Sequence, residues 1–232
     1  MRIKLIVISF VLALSACTKD DESISISDSQ NYFPLYEGQE WVDSIQSIWI
    51  DSPSNVYDTT IIVKKTVVDS IVSQNSIDKV YCATYNLQNG IWLVDHVFWY
   101  ELTNTQLIRF EQNMSWLDLV FPLTQGKEWN PYAYNLYSDT TLRNVVYSVD
   151  KFRYVNNLPY DSTLIIHHQM DSTLIYKYTD VSIYAYGQGL LSKQKVAIIS
   201  DDPNYDYTLP IEERIKTGQF ISVKRFYNYE SN

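Results

Sequence analysis

The chain has 232 residues, 46% of them hydrophobic, and carries 18 Lys and Arg against 27 Asp and Glu, a formal net charge of −9. This hydrophobic fraction excludes wholesale disorder, and the length suits one or two domains with a sizeable core. The acidic balance argues against a nucleic-acid-binding protein, which needs clustered Lys and Arg.

The first residues read as a processing signal. A basic start precedes a mostly apolar run from Leu5 to Leu14, about half of the roughly 20 residues that a transmembrane helix needs. Leu14-Ser15-Ala16-Cys17 resembles the bacterial lipobox. This resemblance implies that residues 1–16 are a signal peptide and that Cys17 becomes the acylated first residue; the alternative is an ordinary secretory signal with a chance cysteine. Without residues 1–16 the chain keeps 16 Lys and Arg against 27 Asp and Glu, a net charge of −11.

The residues after Cys17 predict a destination. Lys19, Asp20, Asp21 and Glu22 resemble the export signal of surface lipoproteins from Bacteroidota, which implies an outer-membrane lipoprotein that faces the cell exterior. The alternative is a solvated acidic tether, which any lipoprotein could have. Small and polar residues continue to position 30, so we expect a flexible tether over residues 17–30.

One motif occurs twice. The template Phe-Pro-Leu-x-x-Gly-x-Glu-Trp matches at 33–41 and again at 121–129, an offset of 88 residues. The repeat predicts two related halves, 31–120 and 121–232, within a single β domain at 31–232. In each copy we expect Gly to supply a turn with positive φ and Trp to lead into a strand and pack in the core.

The remaining sequence is typical of strands, because Val, Ile, Thr and Tyr are abundant and no long segment has a 3.6-residue period. Only 210–217 reads as a helix, of two turns at most. The predicted fold class is all-β with minimal helix, an antiparallel β-sandwich or open β-barrel in which two related halves share one core. Ten strands are predicted, at 44–50, 60–72, 79–87, 92–102, 105–111, 142–155, 162–170, 172–186, 190–199 and 219–229.

The chain resembles a group of uncharacterised Bacteroidota lipoproteins. The resemblance rests on residues 32–41, on 121–130 and on Tyr184-Ala-Tyr-Gly-Gln-Gly-Leu-Leu191. It covers most of the mature chain and implies location and architecture. It carries over no catalytic residue.

The histidines give no metal motif, so we predict neither a metal nor a cofactor. Alternation over 92–102 turns Asp95 away from His96 and predicts one nearly apolar face that should be buried, formed by Trp92, Val94, His96, Phe98, Tyr100 and Leu102. His167 and His168 are adjacent and should point to opposite faces.

Cys82 is the second cysteine of the chain and lies in an alternating, strand-like run. If Cys17 is acylated through its sulfur, no intramolecular disulfide is possible, and stability must come from core packing. We expect Cys82 to be a buried, unreactive thiol rather than a nucleophile.

Six Asp-Ser or Asp-Thr pairs stand before Ile or Thr. They resemble the short O-glycosylation acceptor of exported Bacteroidota proteins, while an equally good interpretation is turn chemistry at strand starts, where Asp and Ser bond the local backbone. The acceptors implied by the resemblance are Ser44, Thr59, Ser70, Thr140, Ser162 and Ser172.

Three functions stay open. The favoured one is non-catalytic binding or scaffolding of glycan or another envelope protein by a membrane-anchored chain, with Tyr205 and Tyr207 in a predicted exposed loop as binding aromatics. A second is a surface hydrolase whose site combines distant residues such as Asp95, His167 and Asp201. A third is a purely structural envelope component.

Overall fold

The computed structural model describes residues 25–136 and 141–227, and its twelve strands form one antiparallel sheet. A short helix, α1 (Ile26–Gln30), precedes the sheet, and one 3₁₀ turn lies at Ile211–Glu213. No helix in this part of the chain is long and apolar enough to cross a membrane. The strands are β1 (Glu40–Asp51), β2 (Val56–Gln74), β3 (Ile77–Gln88), β4 (Ile91–Leu102), β5 (Gln106–Glu111), β6 (Met114–Val120), β7 (Glu128–Trp129), β8 (Asn144–Val155), β9 (Leu158–Ser172), β10 (Tyr176–Ala185), β11 (Gly189–Ile199) and β12 (Thr217–Tyr227).

The sheet consists of two six-stranded meanders that meet where β1 pairs with β12. Its two outer strands, β6 and β7, come together at the far side. There the Leu117 N–H donates to the Pro131 carbonyl at 2.8 Å, and the Asn135 side chain bonds both backbone groups of Ser115, at 2.9 and 2.7 Å. The sheet is therefore a nearly closed barrel, and the predicted all-β class is confirmed in its barrel form.

The two motif copies make matching backbone contacts. Gly38 and Gly126 have φ of +76° and +82°, as expected from the sequence. The N–H of Gly38 donates to the Val68 carbonyl at 2.9 Å, and that of Gly126 donates to the Val146 carbonyl at 2.8 Å. The tryptophan that ends each copy is buried, which confirms its predicted place in the core. The division at residue 120 stays a prediction.

One end of the barrel is filled by a single apolar cluster with residues from both meanders. The chain enters at this closed end. Ser25 caps α1 by accepting from the Asp28 N–H at 3.1 Å, the buried Ser29 hydroxyl accepts from the Leu123 N–H at 3.0 Å, and the Tyr32 and Ser162 hydroxyls are hydrogen-bonded at 2.6 Å. The prediction of a flexible tether as far as residue 30 is therefore wrong for residues 25–30, because these contacts fix them against the barrel.

A β-bulge overturns the predicted faces of β4. Thr84 pairs with His96 but Tyr85 pairs with Val94, so Asp95 is an extra residue in the strand. The extra residue reverses the alternation before it. Val94 is consequently exposed, whereas the predicted burial of Phe98 and Tyr100 beyond the bulge is correct.

Candidate functional site

Opposite the closed end, the inner face of the barrel opens to solvent. On β1 the inner residues are the alternate ones from Trp41, which lies in the core, to Trp49, and the pairing of β1 with both neighbours is free of bulges. Exposure rises along this face from 3% at Trp41 to 45% at Trp49. The strands β1, β2 and β9–β12 thus form an open inner surface, which we call the mouth.

Two rows of side chains cross the mouth at right angles to the strands, because directly paired residues point to the same face of a sheet. In both rows the members come from β2, β1, β12, β11, β10 and β9 in that order. The mouth row is Asp58, Trp49, Gln219, Ala197, Tyr178 and Asp171. The second row, one step deeper, is Thr60, Ser47, Ile221, Lys195, Asp180 and Gln169.

The contacts between these rows agree with a shared face. The Lys195 ammonium lies 5.4 Å from the centre of the Tyr178 ring. Burial raises the pKa of the Tyr178 hydroxyl, and the nearby Asp180 raises it further. The hydroxyl therefore stays protonated and is available as a hydrogen-bond donor at the mouth.

A buried ion pair lies between the mouth and the core. Arg225 donates to both carboxylate oxygens of Asp43 at 2.8 Å, and the two side chains are only 12% and 13% exposed. The Arg225 guanidinium also lies 4.7 Å from the Trp41 ring. Burial alone lowers the pKa of Arg225, but the Asp43 carboxylate raises it above its ordinary value, so the pair stays charged.

A second polar cluster lines the inner face of the first meander. His96 Nδ1 lies 3.1 Å from Asp95 Oδ2, and His96 Nε2 lies 2.5 Å from Glu111 Oε1. Arg109 bonds Glu111 and also donates from Nε to Asp118 at 3.1 Å. The prediction that Asp95 cannot orient His96 is wrong, because the bulge turns Asp95 to the inner face.

A buried Ser-His-Asn arrangement on the second meander is a group that the sequence analysis missed. His168 is the extra residue of a bulge in β9. Its Nε2 lies 2.7 Å from the Ser182 hydroxyl and its Nδ1 lies 3.0 Å from Asn144 Oδ1. The partners imply that the Ser182 hydroxyl donates to Nε2 while Nδ1–H donates to Asn144, which is a neutral imidazole with both nitrogens satisfied.

This arrangement resembles a catalytic triad in connectivity but not in chemistry. Ser182 is 2% exposed, so its hydroxyl does not meet a substrate from solution. Burial lowers the pKa of His168 to about 3, far from the near-neutral value of an efficient general base. Asn144 also lacks the negative charge that stabilises an imidazolium. We therefore assign the group to the stability of the fold.

The three residues of the predicted hydrolase site have separate surroundings. Asp95 accepts from the Lys64 ammonium at 2.8 Å on the inner face. His167 stacks on the exposed Tyr147 ring with centres 4.3 Å apart. Asp201 pairs with Lys216 at 2.8 Å in the loop after β11. Among the residues that the structure describes, no group of three or more His, Cys, Asp and Glu side chains could hold a metal ion.

The predicted binding aromatics are half-buried in the 200–216 loop. The Tyr205 hydroxyl donates to the Ile215 carbonyl at 3.4 Å, and the Tyr207 hydroxyl donates to the Asp202 carbonyl at 2.9 Å. The Arg214 guanidinium lies 4.6 Å from the Tyr207 ring. The expectation that this loop exposes both rings is wrong, because these contacts tie the rings into the loop. The sequence does contain a signal for the mouth. Side chains alternate between the two faces of the predicted strand 44–50, and this alternation places Trp49 on the same face as Trp41.

The predicted modification sites fall into two groups. Cys17, the export signal at 19–22 and Thr140 lie outside the described residues. The other five candidate acceptors lie within strands, with Ser172 as the last residue of its strand: Ser44, Thr59, Ser70, Ser162 and Ser172. Their glycosylation stays a prediction.

Cys82 is buried, as expected, and its burial raises the pKa of the thiol to about 12. A thiol is nucleophilic only as the thiolate. Cys82 therefore belongs to the core.

Among known proteins, the chain is similar to several solved structures. No protein-family model and no curated protein matches the chain. One similar structure is described as a putative exported protein with a YmcC-like fold from Bacteroides fragilis; it has 8% identity and a TM-score of 0.41, over 82% of this chain and 96% of that one. Another, a putative lipoprotein from Parabacteroides distasonis, has 13% identity and a TM-score of 0.35, over 83% and 98%.

Proposed function

We propose that the protein is a lipid-anchored binding protein of the outer membrane that faces the cell exterior and holds an envelope ligand in its mouth without catalysis. The observation that carries the proposal is the mouth row, in which two aromatic rings and free polar groups share an open face above a paired, charged floor. Glycan and envelope protein are the ligands to consider. The anchor in this proposal is Cys17, acylated after removal of residues 1–16.

The entry point of the chain supports an outward-facing mouth. The described chain begins at Ser25, and α1 packs against the closed end of the barrel. Cys17 stands eight positions before Ser25, and eight residue steps reach at most about 29 Å even when fully extended. An anchor at Cys17 would therefore keep the closed end near the membrane and direct the mouth away from it.

The groups beneath the mouth are suited to a rigid floor. Arg225 is held by Asp43 on both carboxylate oxygens, and the Lys193 ammonium lies 3.4 Å from the Asp180 carboxylate. Acids and bases that neutralise each other in this way hold the surrounding strands in place but offer no free nucleophile or base. This supports binding over hydrolysis.

The anchor is tested by metabolic labelling with radioactive palmitate. The wild-type chain should incorporate label and a Cys17→Ala variant should not, while a Cys82→Ala variant should label like the wild type. External protease on intact cells should then degrade the wild type. Label that survives in Cys17→Ala, or full protection from the protease, would contradict the anchor or its orientation.

Binding at the mouth is tested in intact cells with a photo-crosslinking residue in place of Gln219. A matched control carries the same residue in place of Gln46, which alternates with the inner residues of β1 and so lies on the outer face. An adduct from position 219 and none from position 46 supports the proposal. If neither position gives an adduct, the binding function fails and a structural role is favoured.

A further inference from the structure

Extending the proposed function, on which this inference rests, we infer that the mouth row binds a neutral oligosaccharide that lies across the strands. The row places an aromatic ring on each side of a shallow centre and a carboxylate at each end. A sugar chain carries the complementary groups, which are apolar C–H faces that pack on aromatic rings and hydroxyls that bond to carboxylates.

The spacing of the two rings sets the length of the ligand. Trp49 on β1 and Tyr178 on β10 are separated by β12 and β11. Three strand spacings correspond to about 14 Å, which a chain of several sugar units spans and a monosaccharide does not. Between the rings stand Gln219 and the small Ala197, so the centre of the row is lower than its two aromatic sides.

The aromatic faces supply the apolar contact. The indole of Trp49 is the more exposed ring of the row, at nearly half of its surface. An indole or phenol face is apolar and electron-rich, which suits the C–H face of a pyranose ring. Both side chains also have few rotatable bonds, so little conformational entropy is lost when they become ordered by a ligand.

The polar groups supply partners for hydroxyls. Within the described residues, the side chains of Asp58, Gln219 and Asp171 make no hydrogen bond or ion pair with the rest of the chain. A carboxylate accepts two or more hydrogen bonds, and an amide both donates and accepts. The second row adds the hydroxyls of Ser47 and Thr60, within reach of a chain that rests on the rings.

The same surroundings disfavour other ligands. A peptide that binds by strand addition needs an unpaired strand edge, whereas β1, β10, β11 and β12 are each paired on both sides. An acyl chain needs a mostly apolar lining, and the two rows are mostly polar. A polyanion would meet the carboxylates of Asp58 and Asp171 at the two ends of the row. A neutral sugar chain is the ligand that avoids all three conflicts.

The test is calorimetric titration of the mature full chain with neutral hexasaccharides of glucose, mannose, xylose and N-acetylglucosamine, with tryptophan fluorescence recorded in parallel. At least one sugar should bind saturably and change the fluorescence. Trp49→Ala and Tyr178→Ala should each weaken that binding by about tenfold or more. Trp49→Phe keeps a ring and should stay within a few-fold of the wild type.

Trp99→Ala is the matched control, because Trp99 is also a partly exposed strand tryptophan but lies on the outer face, where it stacks on Phe110. It should leave the dissociation constant within about twofold, with folding of every variant checked by its melting curve. The inference is overturned if no sugar binds, or if binding survives Trp49→Ala and Tyr178→Ala. An adduct at position 219 in which mass spectrometry identifies an attached polypeptide, and whose mass periodate does not reduce, would overturn the sugar ligand while leaving the binding function intact.

Discussion

The buried His168 should make the fold sensitive to mild acid. In the folded chain burial lowers the pKa of His168 to about 3, while an unfolded histidine titrates near 6.5. Below pH 6.5 the unfolded state therefore takes up a proton that the folded state does not, and the unfolded state gains stability as the pH falls. The His168 contribution to folding is complete above pH 6.5 and declines by about 1.4 kcal/mol per pH unit below it.

Between pH 8 and pH 5, protonation of His168 in the unfolded state should lower the free energy of unfolding by about 2 kcal/mol. Most carboxylates stay ionised over this interval, so they do not obscure the effect. Urea denaturation of the wild type and of His168→Gln at half-unit steps of pH measures it. Gln can replace both hydrogen bonds without titrating. The free energy of unfolding of His168→Gln should therefore fall by about 2 kcal/mol less than that of the wild type between pH 8 and pH 5. His167→Gln is the comparison variant: burial also lowers the pKa of His167, but its ring is only partly buried, so this substitution should flatten the pH dependence less than His168→Gln does. Equal slopes for the wild type and His168→Gln would refute the reasoning.

Three other perturbations test the core. Asp43→Asn leaves the charge of Arg225 buried without its partner and should lower the free energy of unfolding by about 3–5 kcal/mol in urea denaturation; a loss below about 1 kcal/mol contradicts the buried pair. The Cys82 thiol should react with Ellman's reagent only after unfolding, and rapid reaction of the folded chain would show that it is accessible. Gly126→Ala should cost about 1–2 kcal/mol from its φ of +82° alone, because open space surrounds the position; a neutral result in denaturation argues against that conformation.

Much of the fold could be predicted because local patterns and the fold agree. The Asn89-Gly90 pair predicts a hairpin and forms one, with positive φ at both residues. The turn before β6 has the same conformation at Gln112 and Asn113, which are weaker turn residues, and β6 was missed with it. The short β7 was missed because a two-residue strand has no periodicity to read.

The inner face was harder to predict because bulges interrupt the alternation. One extra residue in β4 turns Asp95 inward toward His96, and another in β9 places His168 against Ser182. The register against the neighbouring strand decides where the extra residue falls, and the residue pattern within the bulged strand does not show that register. By contrast β1 has no bulge, so simple alternation from Trp41 reaches Trp49 correctly.

In the proposed function, the division of the barrel into two ends separates stability from binding. At the closed end, Tyr32, Trp41 and Leu123 are almost fully buried, and burial of such side chains is the main source of folding free energy. At the mouth, Trp49 keeps nearly half of its surface in water, so replacing it removes little buried area. A large apolar ring at this position contributes little to folding and much to any ligand that covers it, and for this reason the mouth variants should fold normally while they lose binding.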